Sequence, residues 1–278
     1  MLANLKEVLN YAEEHNCAIG AFNTPTMQNV IGIIKNAEIL NVPVIISHAQ
    51  CHENESPIDY IGEVMVALAK KSKVKVCVFL DHGEDINYIK RALEIGFTSV
   101  MFDGSRLPYD ENVRITRDVV ALAKKYGACV EAEIGALATR EGGDCGGAAV
   151  YTEPADALKF VNDTGIDALA CSFGTAHGIY KVKPKLDFDR IDKIHKLINI
   201  PLVMHGGSGL SNEEYQKAMT LGVKKINAYS YVGRAGVLAA KEAIESERFT
   251  YFHELSYYAT NKMSEYAMEL MKVFYKNN

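Results

Sequence analysis

Three of the eight histidines in this 278-residue chain, His82, His177 and His205, lie just beyond short, β-branched apolar runs. Imidazoles converging from three such runs make a three-ligand zinc site with an open fourth position, the arrangement used when a metal must also hold water or substrate. One strand-end histidine is more often structural, bonded to nearby backbone, but three on one rim favour the metal. Asp81 stands beside His82, where a carboxylate serves as an orienting group, a ligand or an acid/base group. Other runs end in polar residues too: Asn23, Asp103-Gly104-Ser105, Glu131 with Glu133, the 174–178 segment and Asn227. His205-Gly206-Gly207-Ser208-Gly209 and the Asn227 region have the makeup of a phosphate cradle, to which Gly178 adds a backbone donor and Lys181 a cation. Glycine suits such a cradle because backbone N–H groups can approach an anion closely. Glu141 lies in a Gly-containing loop long enough to fold over such a site. His15, His195 and His253 fall in helical segments and are expected to face solvent. His48, Cys51 and His52 match no standard finger spacing and are expected in a mouth loop touching substrate.

The elements that must position these groups repeat eight times, each an apolar run followed by a helix-period segment. The runs are 17–22, 42–47, 74–80, 98–102, 128–134, 166–172, 200–204 and 223–227, the last weakened by Lys224 and Lys225. Short, largely apolar runs suit parallel strands covered by helices on one side and packed in a barrel interior on the other. Ser56-Pro57 and Ser211, followed by Glu213 and Glu214, offer helix starts. The pattern predicts an α/β fold, a (β/α)8 TIM barrel with additional C-terminal helices; a doubly wound sheet would more often show a G-x-G-x-x-G after its first strand. No linker divides the chain, so residues 1–278 read as one barrel domain with 249–278 as a helical extension. In that extension Met263, Tyr266, Ala267, Leu270, Met271 and Phe274 form one stripe, expected to pack on the outer ring. In such barrels the chemistry sits at the C-terminal mouth, and the polar groups above all fall at that end of the runs.

Composition narrows the partners. With 48% apolar and 23% charged residues the chain buries a large core, and a net charge of −5 without a basic cluster argues against nucleic acid and anionic membranes. The first sixteen residues resemble an amphipathic helix rather than a signal peptide, and no stretch reads as a membrane span. Cys77, Cys129 and Cys171 lie in apolar runs and no C-x-x-C occurs, which suits free thiols in a reducing cytoplasm. Tyr251, Phe252, Tyr257 and Tyr258 suit a homodimer or homotetramer.

The ordered motifs A-F-N (21–23), D-H-G (81–83), M-F-D-G-S (101–105), E-A-E-I-G (131–135), G-T-A-H-G-I-Y-K (174–181), P-K-L-D-F (184–188) and H-G-G-S-G (205–209) span nearly the whole chain. Together they resemble the class II, zinc-dependent ketose-bisphosphate aldolases, especially the fructose- and tagatose-bisphosphate group. The resemblance implies one catalytic Zn2+ on His82, His177 and His205, and a second or resting position at Asp103 and Glu133 for a divalent or monovalent cation. It places Gly178, Lys181, Gly206, Gly207, Ser208, Asn227 and Ser230, with Asn23, around a sugar phosphate. It implies retro-aldol cleavage of a ketose (bis)phosphate to dihydroxyacetone phosphate and an aldehyde, with Asp81 taking the C4 hydroxyl proton and Glu141 exchanging a proton at the enediolate carbon. The chain departs from its relatives at 138–141, which reads Ala-Thr-Arg-Glu without the usual glycine pair, at Tyr229 and Tyr231 flanking Ser230, and at Ala49, where Ser or Thr is common. Those changes bear on the aldehyde more than on dihydroxyacetone phosphate chemistry. The alternatives are a same-family aldolase for another ketose phosphate, a Schiff-base aldolase, for which 166–172 lacks a lysine, and a catalytically silent sugar-phosphate-binding barrel.

Overall fold

The computed structural model describes residues 1–137, 150–180 and 182–275. All eight expected runs become strands: β2 (Ile19–Asn23), β3 (Val44–Ala49), β4 (Val76–Gly83), β5 (Ser99–Phe102), β6 (Cys129–Ile134), β7 (Ala168–Cys171), β8 (Leu202–Met204) and β9 (Val223–Asn227). They pair in parallel around a ring, and the β4–β5 pairing closes it. Lys224 and Lys225 do not break β9, because both lysines find carboxylate partners.

Helices α2 (Met27–Leu40), α3 (Ile58–Lys71), α4 (Ile86–Ile95), α5 (Tyr109–Lys124), α6 (Pro154–Thr164), α7 (Phe188–Leu197), α8 (Asn212–Thr220) and α9 (Ser230–Glu245) follow the barrel strands in turn. This is the (β/α)8 barrel anticipated from the sequence. Ser211 caps α8 in a reciprocal capping box with Glu214. At α3 the expectation fails: Pro57 precedes the first helical residue, and Glu53 rather than Ser56 takes the Ile58 N–H, at 2.9 Å.

Strand alternation divides the core in two. Outward residues such as Phe22, Ile46, Val78, Val100, Ala132 and Leu169 pack under the helices. Inward residues Ile19, Ile45, Phe79, Met101, Ala170 and Val203 fill the barrel and meet Leu5, Val8, Leu9 and Ala12. Those four belong to α1 (Leu5–Glu14), begun by an Asn4–Glu7 capping box, which plugs the N-terminal end of the barrel. Just before it, β1 (Leu2–Ala3) pairs with Val76 and Cys77 of β4, an element too short to show a period.

The final helix, α10 (Phe252–Phe274), buries Ala267, Leu270, Met271 and Phe274 and contacts α2, α8, α9 and β2. The C-terminal stripe therefore packs on the barrel. No helix among the described residues is long and apolar enough to cross a membrane. Because Leu5 is wholly buried under the barrel floor, Leu5→Ala is expected to cost about 2–5 kcal/mol in urea unfolding; a loss well below 1 kcal/mol would show that α1 is not the plug.

Candidate active site

The alternation that fills the barrel floor with apolar side chains continues upward into polar ones. On β2 the inward series Ile19, Ala21 ends in Asn23; on β4, Cys77 and Phe79 end in Asp81; on β6, Cys129 leads to Glu131 and Glu133; on β9, Lys225 precedes Asn227. Every one of these polar side chains is buried. Strict alternation would send His82 to the outer face. It turns inward because its φ is +46°, at a register shift between β4 and β5 spanning Leu80 and Gly83. A left-handed non-glycine residue is a strained conformation that the surroundings must hold, and here it puts Asp81 and His82 on the same side.

His82, His177 and His205 come together at the mouth, with one ligand nitrogen from each within 4.8 Å of the others. Two of the rings are oriented from behind. His82 Nδ1–H donates to Asp103 Oδ2 at 2.8 Å, and His205 Nε2–H donates to Glu131 Oε1 at 2.8 Å. Asp103 is itself fixed, since its Oδ1 accepts from the Ser105 hydroxyl at 2.6 Å. With those protons committed, His205 Nδ1 keeps its lone pair and faces His82 Nε2 at 3.0 Å, where the second His82 proton bridges the two rings in the metal-free site. That proton stands where a metal ion would, and tetrahedral Zn–N bonds place ligand nitrogens about 3.3 Å apart. The donor set therefore fits a divalent metal, with a carboxylate behind two of its rings as metal-ligating histidines usually have. His82, Asp103 and Glu133 form a second cluster of the same kind that shares His82. A cavity lined by His82, Asp103, Ser105, Arg106, Glu133 and His177 opens onto both clusters.

The electrostatics match this arrangement. Burial penalises the His82 imidazolium, but Asp81, Asp103 and Glu133 outweigh it and push the group up to about 10. Burial, then the charges of His82 and Lys225, hold His205 well below its usual range. Asp81 resists the upward push of burial because His82, His205 and Lys225 draw its carboxyl below the ordinary value. Its oxygens accept from Asn23 Nδ2 at 3.2 Å and Asn227 Nδ2 at 3.0 Å.

The glycine-rich segment after β8 lies against the segments after β7 and β9. Gly206 has φ +61°, and a Cβ there would stand 2.4 Å from the Ala176 carbonyl oxygen, so only glycine lets the two loops close. Gly178 N–H donates to Ser230 Oγ at 3.2 Å, and Tyr229 N–H donates to Ser208 Oγ at 3.2 Å. Gly178, Ser208 and Ser230 thus meet at the first turn of α9, and a helix N-terminus favours an anion. Tyr231 packs over Gly209 and Tyr229 stands 5.2 Å from the His52 ring, which encloses this corner. Lys181 and Glu141 lie outside the described residues.

Two expectations need correction. His48 faces outward from β3, as its parity requires, and its Nε2 meets Tyr88 Oη at 2.8 Å beneath α4. Burial, then His52, pushes it down to about 4. His48 is a core histidine, whereas the His52 ring stands against Tyr229 beside the glycine-rich segment. From spacing alone Glu131 reads as a mouth carboxylate and Lys225 as a flaw in a strand. Lys225 Nζ is 3.0 Å from Glu131 Oε2, fully buried below the histidines. The signal was the i, i+2 spacing of Lys225 and Asn227, which puts both on the interior face.

The family model described as class-II fructose-bisphosphate aldolase matches residues 3–278. The chain is 42% identical over 217 residues to fructose-bisphosphate aldolase of Giardia intestinalis, covering 76% of this chain and 67% of that one. It is 37% identical over 258 residues to fructose-bisphosphate aldolase of Geobacillus stearothermophilus, covering 90% and 88%. The crystal structure of the YdjI aldolase from Escherichia coli K12 superposes with a TM-score of 0.88 at 32% identity, covering 99% and 97%.

The proton that His82 holds without metal makes metal uptake pH-linked. A group raised from 6.5 to about 10 carries that proton throughout the interval, so an incoming ion must displace it. Apparent zinc affinity of the metal-free protein should rise about tenfold per pH unit from pH 6.5 toward 10, with about one proton released in calorimetry across buffers; a pH-independent affinity contradicts this.

Proposed function

Since the chain belongs to the class-II fructose-bisphosphate aldolase family and is by that membership an aldolase, a carbon–carbon lyase, we propose that it is zinc-dependent and reversibly cleaves a ketose (bis)phosphate. The substrate is of the fructose- or tagatose-1,6-bisphosphate type, and the products are dihydroxyacetone phosphate and an aldehyde. The observation that carries this reading is the 3.0 Å approach of His82 Nε2 and His205 Nδ1, with His177 beside them. A zinc ion on these three rings supplies Lewis acidity toward the ketose carbonyl and adjacent hydroxyl. Asp103 and Glu133 are the proposed second position, for a divalent or monovalent cation.

The chain's own residues do the rest. Asp81, below its ordinary carboxyl range and steadied by Asn23 and Asn227, accepts the C4 hydroxyl proton as the C3–C4 bond breaks and returns it in condensation. The N–H groups of Gly178, Gly206 and Gly207, the hydroxyls of Ser208 and Ser230, Asn227 and Lys181 hold the C1 phosphate, which keeps the triose half in register with Asp81. Glu141 is the proposed group for proton exchange at the triose carbon. The reading is completed by a single barrel domain over 1–278 with its 249–278 extension, assembled as a homodimer or homotetramer in the cytoplasm.

Exhaustive chelation should abolish cleavage of ketose bisphosphates, and zinc should restore it; full activity after chelation overturns the zinc assignment. Asp81→Asn should lower kcat by at least about 100-fold while KM moves less than about threefold. His205→Ala should lose metal and turnover together, read by elemental analysis and triose phosphate release. A panel of fructose and tagatose bisphosphates and their 1-phosphates identifies the substrate.

A further inference from the structure

Lys225 takes no part in the chemistry proposed above, yet the barrel buries it completely. Its Nζ lies 3.2 Å from Glu131 Oε1, 3.0 Å from Glu131 Oε2, 2.8 Å from Asn227 Oδ1 and 4.2 Å from the centre of the Phe79 ring. Burying an ammonium and a carboxylate costs several kcal/mol per ion before their attraction offsets it, and a well-packed apolar pair of similar volume is often as stable or more so. Val203 is in register with Lys225, and Ala168 with Glu131, so apolar side chains already stand beside the pair on the same interior face. Stability alone therefore gives no reason for an ion pair at this height.

What the pair does is visible in what each acceptor touches next. Glu131 Oε1, held by Lys225, is the atom 2.8 Å from His205 Nε2. That contact keeps the proton on Nε2 and leaves Nδ1 for the metal. Asn227 has one oxygen and one NH2 to place. With Oδ1 on the ammonium, Nδ2 must turn the other way, where it meets Asp81 Oδ1 at 3.0 Å and His205 Nδ1 at 3.4 Å. The reversed amide would set an oxygen against the Asp81 carboxylate. We infer that Lys225 is a positioning residue that fixes, through Glu131 and Asn227, both the metal-facing nitrogen of His205 and the seat of the Asp81 carboxylate. One side chain from the barrel floor thereby couples the metal half of the site to its acid/base half.

The turnover arm of the test rests on the proposed aldolase chemistry; the metal arm does not. Lys225→Met keeps the stem and removes the charge. Its metal-free form should bind zinc about 10- to 100-fold more weakly than the parent in competition with a chromogenic chelator. At saturating zinc, kcat should stay down by at least about tenfold with KM within about threefold. Lys225→Met/Glu131→Leu leaves neither ion unpaired, so its thermal midpoint should return to the parent value while both losses persist. If zinc affinity and kcat recover along with the midpoint, or if Lys225→Met alone keeps parental zinc affinity, the assignment is overturned. Should the single variant fail to fold, the double variant decides by the same criterion. A parent chain that cleaves no ketose phosphate, combined with a persistent loss of zinc affinity in the variants, would sink the aldolase chemistry and leave the positioning role standing.

Discussion

Two imidazole nitrogens facing each other across 3.0 Å, each with its opposite nitrogen held by a buried carboxylate, set the terms for the rest of this molecule. In a dry interior that approach needs a shared proton or a metal ion between the rings, because buried polar groups have no water to turn to. The surrounding charges are arranged for that occupant. Asp81, Asp103, Glu131 and Glu133 gather around the histidines, while Lys225 beneath them offsets part of the negative charge. Such a cluster could not survive on a mobile loop. It needs side chains locked by packing, and a closed barrel supplies them from six different strands or strand ends.

The barrel contributes through parity. Each strand shows alternate residues to the interior, so one sequence can read apolar at the floor and polar at the mouth without any change in backbone path. The single departure that matters is His82. Its left-handed backbone gives β4 two consecutive inward groups, a carboxylate and an imidazole, where an ideal strand would give one. The register shift with β5 accommodates that conformation, and Asp103, following β5, then holds the His82 ring. Strain, pairing irregularity and ligand orientation are thus parts of one local solution.

The glycine-rich corner follows a different logic, based on backbone rather than on side-chain charge. Gly206 allows the segments after β7 and β8 to touch, and the hydroxyls of Ser208 and Ser230 already accept the amide hydrogens that an anion would compete for. Tyr229 and Tyr231 thicken the wall on the α9 side. They narrow the space around the glycine-rich segment and stand apart from the three clustered histidines.

Hydrophobic periodicity and strand-end composition were enough to read the eight strands, the barrel, the N-terminal helix, the packing of the C-terminal stripe and the identity of His82, His177 and His205 as a converging set. These are consequences of local spacing, and local spacing survives in a linear string. The string was silent on which nitrogen of each ring faces inward, on the carboxylate behind His205, and on the reason a barrel interior keeps a lysine. It also misassigned His48, whose place follows from strand parity once the register is known, and the Ser56 cap, where Glu53 competes from across a turn. Apart from the Glu53 cap, which is local, each of these depends on contacts between residues tens of positions apart, such as Glu131 with Lys225 or Asp81 with Asn227. Such contacts exist only after ring closure has brought β4, β6 and β9 around one axis, because hydrogen-bond partners and ring orientations are chosen by distance in space rather than by distance along the chain.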